Sequence, residues 1–317
     1  MISVIIPVYN EEANLQPLYD QVSGILRSLG RPWELILVDD GSTDRSRTRM
    51  NELADKDELV KVVFLRRNFG QTAAMMAGLD FSRGEIIISM DGDLQNDARD
   101  IPKLVEKLEE GFDVVSGWRK FRKDHPVKRN LPSHMANWII SRISGIKLHD
   151  YGCSLKAYRK EVVKDIKLYG EMHRFIPIYA SWFGARIAEI PVAHHVRVHG
   201  KSNYGLERTA KVIFDLMVVK FLSKYSQKPM YVFGMVGLAS LSVSFLSGLW
   251  ALYLKFFEHT SFISTPLPLL VVMTGITGFM CILMGLLAEL VIRTYYESQH
   301  KAVYLVGQTR NITQESA

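Results

Sequence analysis

The chain has 317 residues, of which 48% are hydrophobic and 23% charged, with a formal net charge of +6. That length allows one large domain or two smaller ones. Its two cysteines, Cys153 and Cys281, lie far apart in unlike contexts, which excludes a disulfide framework and points to a reducing compartment.

The average composition conceals a shift. Residues 1–228 carry charges throughout, whereas residues 229–292 are almost free of them. The positive excess sits in a few clusters, and no nucleic-acid partner is expected from it.

The N-terminal run Ile2–Val8 lacks a basic region and is too short for a signal peptide, so it reads as a strand covered on both faces. Asn10 is expected to cap a helix reaching about Leu29, with Glu11 and Glu12 in its first turn. Trp33–Val38 is a second strand, ending in Asp39-Asp40-Gly41-Ser42-Thr43-Asp44, and a helix from Thr43 to Ala54 follows. Val60–Leu65 is a third strand. Asn68-Phe69-Gly70-Gln71 turns into a helix, Thr72–Phe81. The next apolar run, Glu85–Met90, ends in Asp91-Gly92-Asp93-Leu94-Gln95; a helix near Ile101–Glu109 and a strand, Asp113–Trp118, come after it.

This alternation predicts an α/β fold with a doubly wound, mainly parallel sheet. Ligands of such sheets bind at the carboxyl ends of the strands. Neither the Gly-x-Gly-x-x-Gly nor the P-loop cradle occurs, so a bound nucleotide must be met by carboxylates and a metal. Asp91 and Asp93 offer hard oxygen ligands for a divalent cation that arrives with phosphates; the plainer reading is a polar turn.

From Arg119 to Arg129 six basic side chains accompany one acid, which is either a solvated loop or a site for an anion or lipid headgroup. An amphipathic helix is expected near Ser133–Ile143, then over 148–159 a polar turn leading into a short strand, then a strand over Ala185–Val192. His194, His195 and His199 stand beside Arg197 and Lys201 with offsets that fit a phosphate-binding loop better than a zinc site.

Two long apolar runs follow. Tyr231–Leu254 is uncharged over 24 residues, about 36 Å as a helix. Leu267–Ile292 carries only Glu289, near its end. Both are expected to cross a membrane. Lys220, Lys224 and Lys228 precede the first, and Arg293 and Lys301 follow the second, which places both termini in the cytoplasm. Leu206–Tyr225 has an apolar face opposite Arg208, Lys211 and Asp215 and reads as an interfacial helix. The expected organisation is a cytosolic domain over 1–205, the interfacial helix and linker over 206–228, a two-helix transmembrane hairpin over 229–292, and a cytosolic tail over 293–317. The polar stretch Thr309–Ala317 is expected to be disordered. Gly234, Gly237 and Gly248 permit close packing of the first span, and a homo-oligomer is expected.

Acidic strand ends, basic loops and a membrane hairpin together suit a water-soluble phosphorylated donor that meets a lipid acceptor. The segments Val-Ile-Ile-Pro-Val-Tyr-Asn-Glu-Glu (4–12), Leu-Val-Asp-Asp-Gly-Ser-Thr-Asp (37–44), Asn-Phe-Gly-Gln (68–71) and Asp-Gly-Asp-Leu-Gln (91–95) resemble glycosyltransferase family 2. With Asp-Tyr-Gly-Cys-Ser-Leu-Lys-Ala-Tyr-Arg (150–159), Gly-Lys-Ser-Asn-Tyr-Gly (200–205) and two C-terminal spans, the chain is similar to the bacterial polyprenyl-phosphate glycosyltransferases of that family, relatives of bactoprenol glucosyltransferase and dolichol-phosphate mannose synthase.

The resemblance implies a GT-A fold and inverting transfer of one sugar from a nucleotide diphosphate to a polyprenyl phosphate, at a bacterial-type inner membrane. It implies that Pro7, Tyr9, Glu11 and Asp39 line the base and ribose. Asp91 and Asp93 would hold Mg²⁺ or Mn²⁺, with Gln95 nearby, and Arg197, Lys201, Ser202 and Tyr204 would belong to a loop closing over the diphosphate. Arg119, Arg122, Arg129 and Ser133 are candidates for the acceptor phosphate. Asp150 is the candidate catalytic carboxylate, either as base or as an orienting group. UDP-glucose is the favoured donor; GDP-mannose, UDP-N-acetylglucosamine and UDP-aminoarabinose are the alternatives, and a non-catalytic membrane scaffold is the contrasting class. The Gln-x-x-Arg-Trp segment of processive relatives is missing, in keeping with transfer of a single sugar.

Overall fold

The computed structural model describes residues 1–120, 141–142, 144–164, 166, 172–196, 230–298 and 304–312. The chain divides into two compact units, residues 1–216 with 302–317, and residues 217–301.

The first unit is built on an eight-stranded sheet in the order β7-β5-β6-β4-β1-β2-β3-β8. The strands are β1 (Ile2–Val8), β2 (Trp33–Asp39), β3 (Val60–Leu65), β4 (Ile86–Ser89), β5 (Val114–Trp118), β6 (Lys156–Arg159), β7 (Ile187–Pro191) and β8 (Val306–Arg310). The neighbours β4, β1, β2 and β3 run parallel, as the strand–helix alternation requires. Outside them the sheet is mixed. β6 inserts antiparallel between β4 and β5, and β8 lies antiparallel on β3.

The connecting helices are α1 (Leu15–Ser28), α2 (Ser46–Lys56), α3 (Gln71–Phe81), α4 (Ile101–Glu109), α5 (Lys160–Val163) and α6 (Ile176–Trp182). Alternate residues of β1 (Ile2, Val4, Ile6 and Val8) join Leu18, Val22 and Leu26 of α1, Met50 and Leu53 of α2, and Leu104 and Leu108 of α4 in one core. The odd positions of β1 face the other way. There α3 packs with Ala73, Ala74, Ala77 and Gly78 buried, and a Cβ on Gly78 would lie 2.1 Å from Ile5 Cγ2. The small residues of α3 therefore set how closely helix and sheet approach.

The first helix begins later than its sequence implies. α1 starts at Leu15 with Asn14 at the N-cap, and Asn10 adopts φ 56° instead of capping. Asn tolerates that conformation, and Asn10 uses it to reach the loop after β2: its Oδ1 accepts from Thr43 N at 2.8 Å, and its own N–H donates to Ser42 Oγ at 3.0 Å.

Of the stretch 309–317, expected to be disordered, residues 309–312 are ordered and 313–317 lie outside the described residues. Val306–Arg310 closes the β3 edge of the sheet, and Asn311 Nδ2 donates to the carbonyls of Ala54 at 2.7 Å and Val60 at 2.9 Å. Tyr304 Oη donates to Asp80 Oδ2 at 2.7 Å, and Arg310 pairs with Asp55 at 2.5 Å.

In the second unit, α7 (Met230–Phe257) and α8 (Leu267–Ser298) pack side by side. Phe233–Phe257 and Leu267–Ala288 are long and apolar enough to cross a membrane, and Glu289 falls just past the second of these. Close approach comes from small residues: a Cβ on Gly237 would lie 2.8 Å from the Gly278 carbonyl, and the reverse holds for Gly278. Ser240 Oγ and Ser244 Oγ donate across the seam to the carbonyls of Thr274 at 2.9 Å and Val271 at 2.7 Å. Gly237 thus serves packing within the hairpin. The helix expected near 133–143 is described only at 141–142, which are helical, and the one expected near 206–225 lies outside the described residues.

Asn311→Ala removes two hydrogen bonds to backbone carbonyls, a loss of roughly 1–3 kcal/mol. The full chain in detergent should unfold several degrees lower, read by thermal scanning of its tryptophan signal. An unchanged midpoint would mean that the tail does not hold the sheet edge.

Candidate active site

The in-register parallel strands bring their carboxyl ends to one edge, with Val8 opposite Asp39 and Ile5 opposite Ser89. The loops there are stitched to each other. Glu11 N–H donates to Ser46 Oγ at 2.9 Å and Glu12 N–H to Asp44 Oδ2 at 3.2 Å. Tyr9 is exposed beside them. Asp39, fully buried, accepts from Arg47 Nε at 2.7 Å and from Ser42 N at 3.0 Å, so its carboxylate is engaged within the loop.

Asp40, which the sequence reading passed over, accepts the N–H groups of Phe69 at 2.7 Å and Gly70 at 2.9 Å. Burial pushes its carboxyl up, against those two bonds. Between them Gly41 has φ 72°, and a Cβ there would lie 2.5 Å from the backbone of Arg67 and Asn68. Only glycine fits that turn. Asp40 and Gly41 fix the loop entering α3, whose first residue, Gln71, donates Nε2 to Asp91 Oδ1 at 2.8 Å. The Asn-Phe-Gly-Gln segment is therefore part of the acidic site.

The Asp91-Gly92-Asp93 turn lies against the end of β1: a Cβ on Gly92 would be 3.3 Å from the Pro7 carbonyl and 3.9 Å from Glu11 Cγ. Asp93 is buried and accepts Gln95 N at 3.1 Å, while Leu94 adopts φ 59°. Desolvation, and then the neighbouring Asp93 charge, push the Asp91 carboxyl up. Two mutually repelling carboxylates at a strand end suit a divalent cation. Among the described residues there is no cluster of three or more ligating side chains. An ion held by Asp91 and Asp93 would therefore complete its shell with ligand phosphates and water.

The segment after β7 pairs with this turn. His195 N–H donates to the Gln95 carbonyl at 2.9 Å, Gln95 Nε2 reaches the His195 carbonyl at 3.4 Å, and His194 bridges to Asn96. His195 Nε2 meets Asp97 at 3.0 Å, and Arg99 beside Asp97 holds that carboxyl well below the usual range.

Asp150 and Arg119, expected as separate catalytic and acceptor-binding residues, form one buried pair. Arg119 Nε lies 2.7 Å from Asp150 Oδ2 and Nη2 lies 2.9 Å from Oδ1. Gly152 N–H adds a bond to Oδ1 at 3.1 Å. Glu189 on β7 accepts from Asp150 N at 3.0 Å and meets His149 Nδ1 at 2.7 Å, with His149 stacked on Trp118 at 4.3 Å. The turn is joined to the acidic site through Ser154: Asn96 Nδ2 donates to its Oγ at 2.7 Å and Ser89 Oγ to its carbonyl at 2.7 Å.

Beside Asp91 an open cleft is lined by Pro7, Gln71, Ser89, Ser154, Lys156 and His173 among others. His173 Nδ1 is 2.7 Å from Thr72 Oγ1. Lys156 on β6 is 3% exposed and donates to the carbonyls of Tyr151 and Cys153. Burial pushes its ammonium down to about 8. Neither Lys156 nor His173 stands out in sequence, although Lys156 falls inside the 150–159 segment. Arg122, Arg129, Ser133, Arg197, Lys201, Ser202 and Tyr204 lie outside the described residues.

Burial also pushes the Cys153 thiol up to about 11. Because the thiolate is the nucleophile, Cys153 of the native protein should resist N-ethylmaleimide at pH 7.5 and react only on unfolding, as followed by mass spectrometry. Rapid native labelling would show that the turn opens.

The family model for glycosyl transferase family 2 matches residues 3–167. Over 311 residues the chain is 44% identical to dodecaprenyl-phosphate galacturonate synthase of Rhizobium johnstonii, covering 97% of this chain and 92% of that protein. It is 38% identical to undecaprenyl-phosphate 4-deoxy-4-formamido-L-arabinose transferase of Pseudomonas paraeruginosa, covering 96% and 89%. Among solved structures it is similar to glucosyl-3-phosphoglycerate synthase from Mycobacterium tuberculosis in complex with Mn²⁺ and UDP-glucose, with a TM-score of 0.55 at 19% identity, covering 70% of this chain and 78% of that one. That likeness bears on the fold, which is of the GT-A type. The chain belongs to glycosyltransferase family 2 and is a glycosyltransferase.

Proposed function

We propose that the protein transfers a single sugar, with inversion, from a nucleotide diphosphate donor to a polyprenyl phosphate at the cytosolic face of a membrane. The observation that carries this reading is the Asp91–Asp93 pair, held at the strand ends by Gln71 and the Pro7 backbone, in a chain whose relatives are named for polyprenyl-phosphate products. The reading keeps the domain at 1–205, the interfacial segment at 206–228, the hairpin at 229–292 and a cytosolic C-terminal segment at 293–317, with copies associating as a homo-oligomer. The membrane and the orientation are supported by the two apolar helices and by the return of the chain: β8 follows α8 in sequence and pairs with β3, so the chain crosses an even number of times.

Mg²⁺ or Mn²⁺ on Asp91 and Asp93 would supply neutralising charge to the leaving diphosphate. Pro7, Tyr9, Glu11 and Asp39 are assigned to the nucleotide, with Gln95, Arg197, Lys201, Ser202 and Tyr204 around the diphosphate. The acceptor needs no strong base, because a phosphate monoester with a second pKa near ~6 is largely dianionic at neutral pH. One phosphate oxygen bonds to the anomeric carbon as the bond from that carbon to the diphosphate breaks, and nucleoside diphosphate leaves. Arg119, with Arg122, Arg129 and Ser133, receives the acceptor phosphate, and Asp150 fixes the plane of the Arg119 guanidinium. For the sugar, galacturonate and 4-deoxy-4-formamido-L-arabinose are preferred to glucose, a choice supported by the names of the relatives.

A panel of radiolabelled nucleotide sugars, tested with undecaprenyl phosphate and Mg²⁺ in detergent, should give one lipid-linked product and release of nucleoside diphosphate. Absence of release with every donor would favour the scaffold reading. Asp93→Ala should abolish transfer and metal-dependent nucleotide binding while the protein still folds and inserts. Asp150→Asn should raise KM for the lipid phosphate more than it lowers kcat, at every pH. A fall in kcat alone, with a pH profile lacking its rise toward neutrality, would make Asp150 the base.

A further inference from the structure

A buried ammonium ordinarily meets a carboxylate, because a desolvated charge is costly unless an opposite charge faces it. Lys156 departs from that pattern. It is 3% exposed, and its Nζ donates to the carbonyls of Tyr151, at 3.2 Å, and Cys153. No carboxylate among the described residues lies within ion-pairing distance of it. An ammonium has three donors. Two carbonyl dipoles leave its third donor without an anionic hydrogen-bond partner among the described residues, and the Asp150 charge acts on it only from beyond bonding distance.

Lys156 lines the same cleft as Asp91. The other polar walls are hydrogen-bonding groups: the Gln71 amide, the Ser89 and Ser154 hydroxyls, the Tyr158 hydroxyl and the His173 imidazole. Burial keeps Tyr158 protonated. Hydroxyl-matching walls around a single unmatched cation suit a sugar that carries an acid.

We propose that this cleft receives the transferred sugar of the donor and that Lys156 selects a uronic acid by pairing with its carboxylate. This rests on the transferase reading above and adds the residue that sets donor choice. The diphosphate is the other anion on the donor. It is assigned to the rim at Asp91 and Asp93, whereas Lys156 sits on β6, deep in the cleft wall.

The test is calorimetric binding of UDP, UDP-glucose and UDP-galacturonate to the full chain in detergent with Mg²⁺. The wild type should bind UDP-galacturonate about tenfold or more tightly than UDP-glucose, the scale of one charge-assisted hydrogen bond. Lys156→Met should remove that preference while changing affinity for UDP less than twofold, and Lys156→Arg should retain it. Intact UDP binding by the Met variant doubles as its folding control. Equal loss for all three ligands would assign Lys156 to the diphosphate and overturn the proposal. So would a wild type that binds UDP-glucose as tightly as UDP-galacturonate, an outcome that needs no variant. If that wild type still transfers a sugar to polyprenyl phosphate, the proposed function stands and the role of Lys156 alone falls.

Discussion

Negative charge gathered at the carboxyl ends of the strands is the constraint around which the site is arranged, and each acid meets it differently. Asp39 is paired with Arg47, Asp97 with Arg99, Asp100 with Lys103 and Asp150 with Arg119. Asp40 is satisfied by two backbone N–H groups. Asp91 accepts from the neutral Gln71 amide among the described residues, and its carboxyl is raised by desolvation and by Asp93. The Asp91 and Asp40 carboxyls are both raised, each by burial first and each with an acidic neighbour adding to it, whereas the paired acids have their charge answered within the chain.

The return of the chain after the hairpin gives the membrane part a defined relation to this sheet in sequence. Arg66 N–H donates to the Leu305 carbonyl at 3.0 Å, immediately before the loop that Asp40 holds and that ends in Gln71. β3 is thus flanked by β2 on one side and by the segment following α8 on the other. Without β8, β3 would present an unpaired edge, a liability in any sheet. The hairpin is held by its own close seam at Gly237 and Gly278, so its outward faces remain apolar, as a lipid environment requires.

The parallel centre of the fold and its acidic turns were legible because apolar runs of strand length ending in Asp carry both periodicity and chemistry locally. Asn10 was misread as a cap because its conformation is set by Ser42 and Thr43, more than thirty positions away. β8, Val-Gly-Gln-Thr-Arg, has no apolar alternation; its strand character comes from the β3 edge it meets. β6 was visible as a strand, but its antiparallel insertion beside β4 is a property of topology. Lys156 looked like an ordinary lysine in a polar turn, since only the folded sheet buries it.

The pairing of Arg119 with Asp150 bears on how a lipid phosphate can be received at all. A guanidinium carries five N–H donors in a planar fork, and Asp150 takes the Nε and Nη2 side of it. Under the proposed function, an acceptor phosphate would meet that guanidinium in the plane that Asp150 fixes. Removing one partner of a buried pair costs more than the pair contributes, so the carboxylate also keeps the arginine in place while no acceptor is bound. Glu189 carries the same logic one layer outward: by accepting from the backbone of Asp150 and from His149, it fixes the turn that presents the carboxylate. The turn is joined to the metal-side loop through Ser154 and Asn96. Under the proposed function, acceptor orientation and donor binding would share this connection, so that a change at either end of it would act on both.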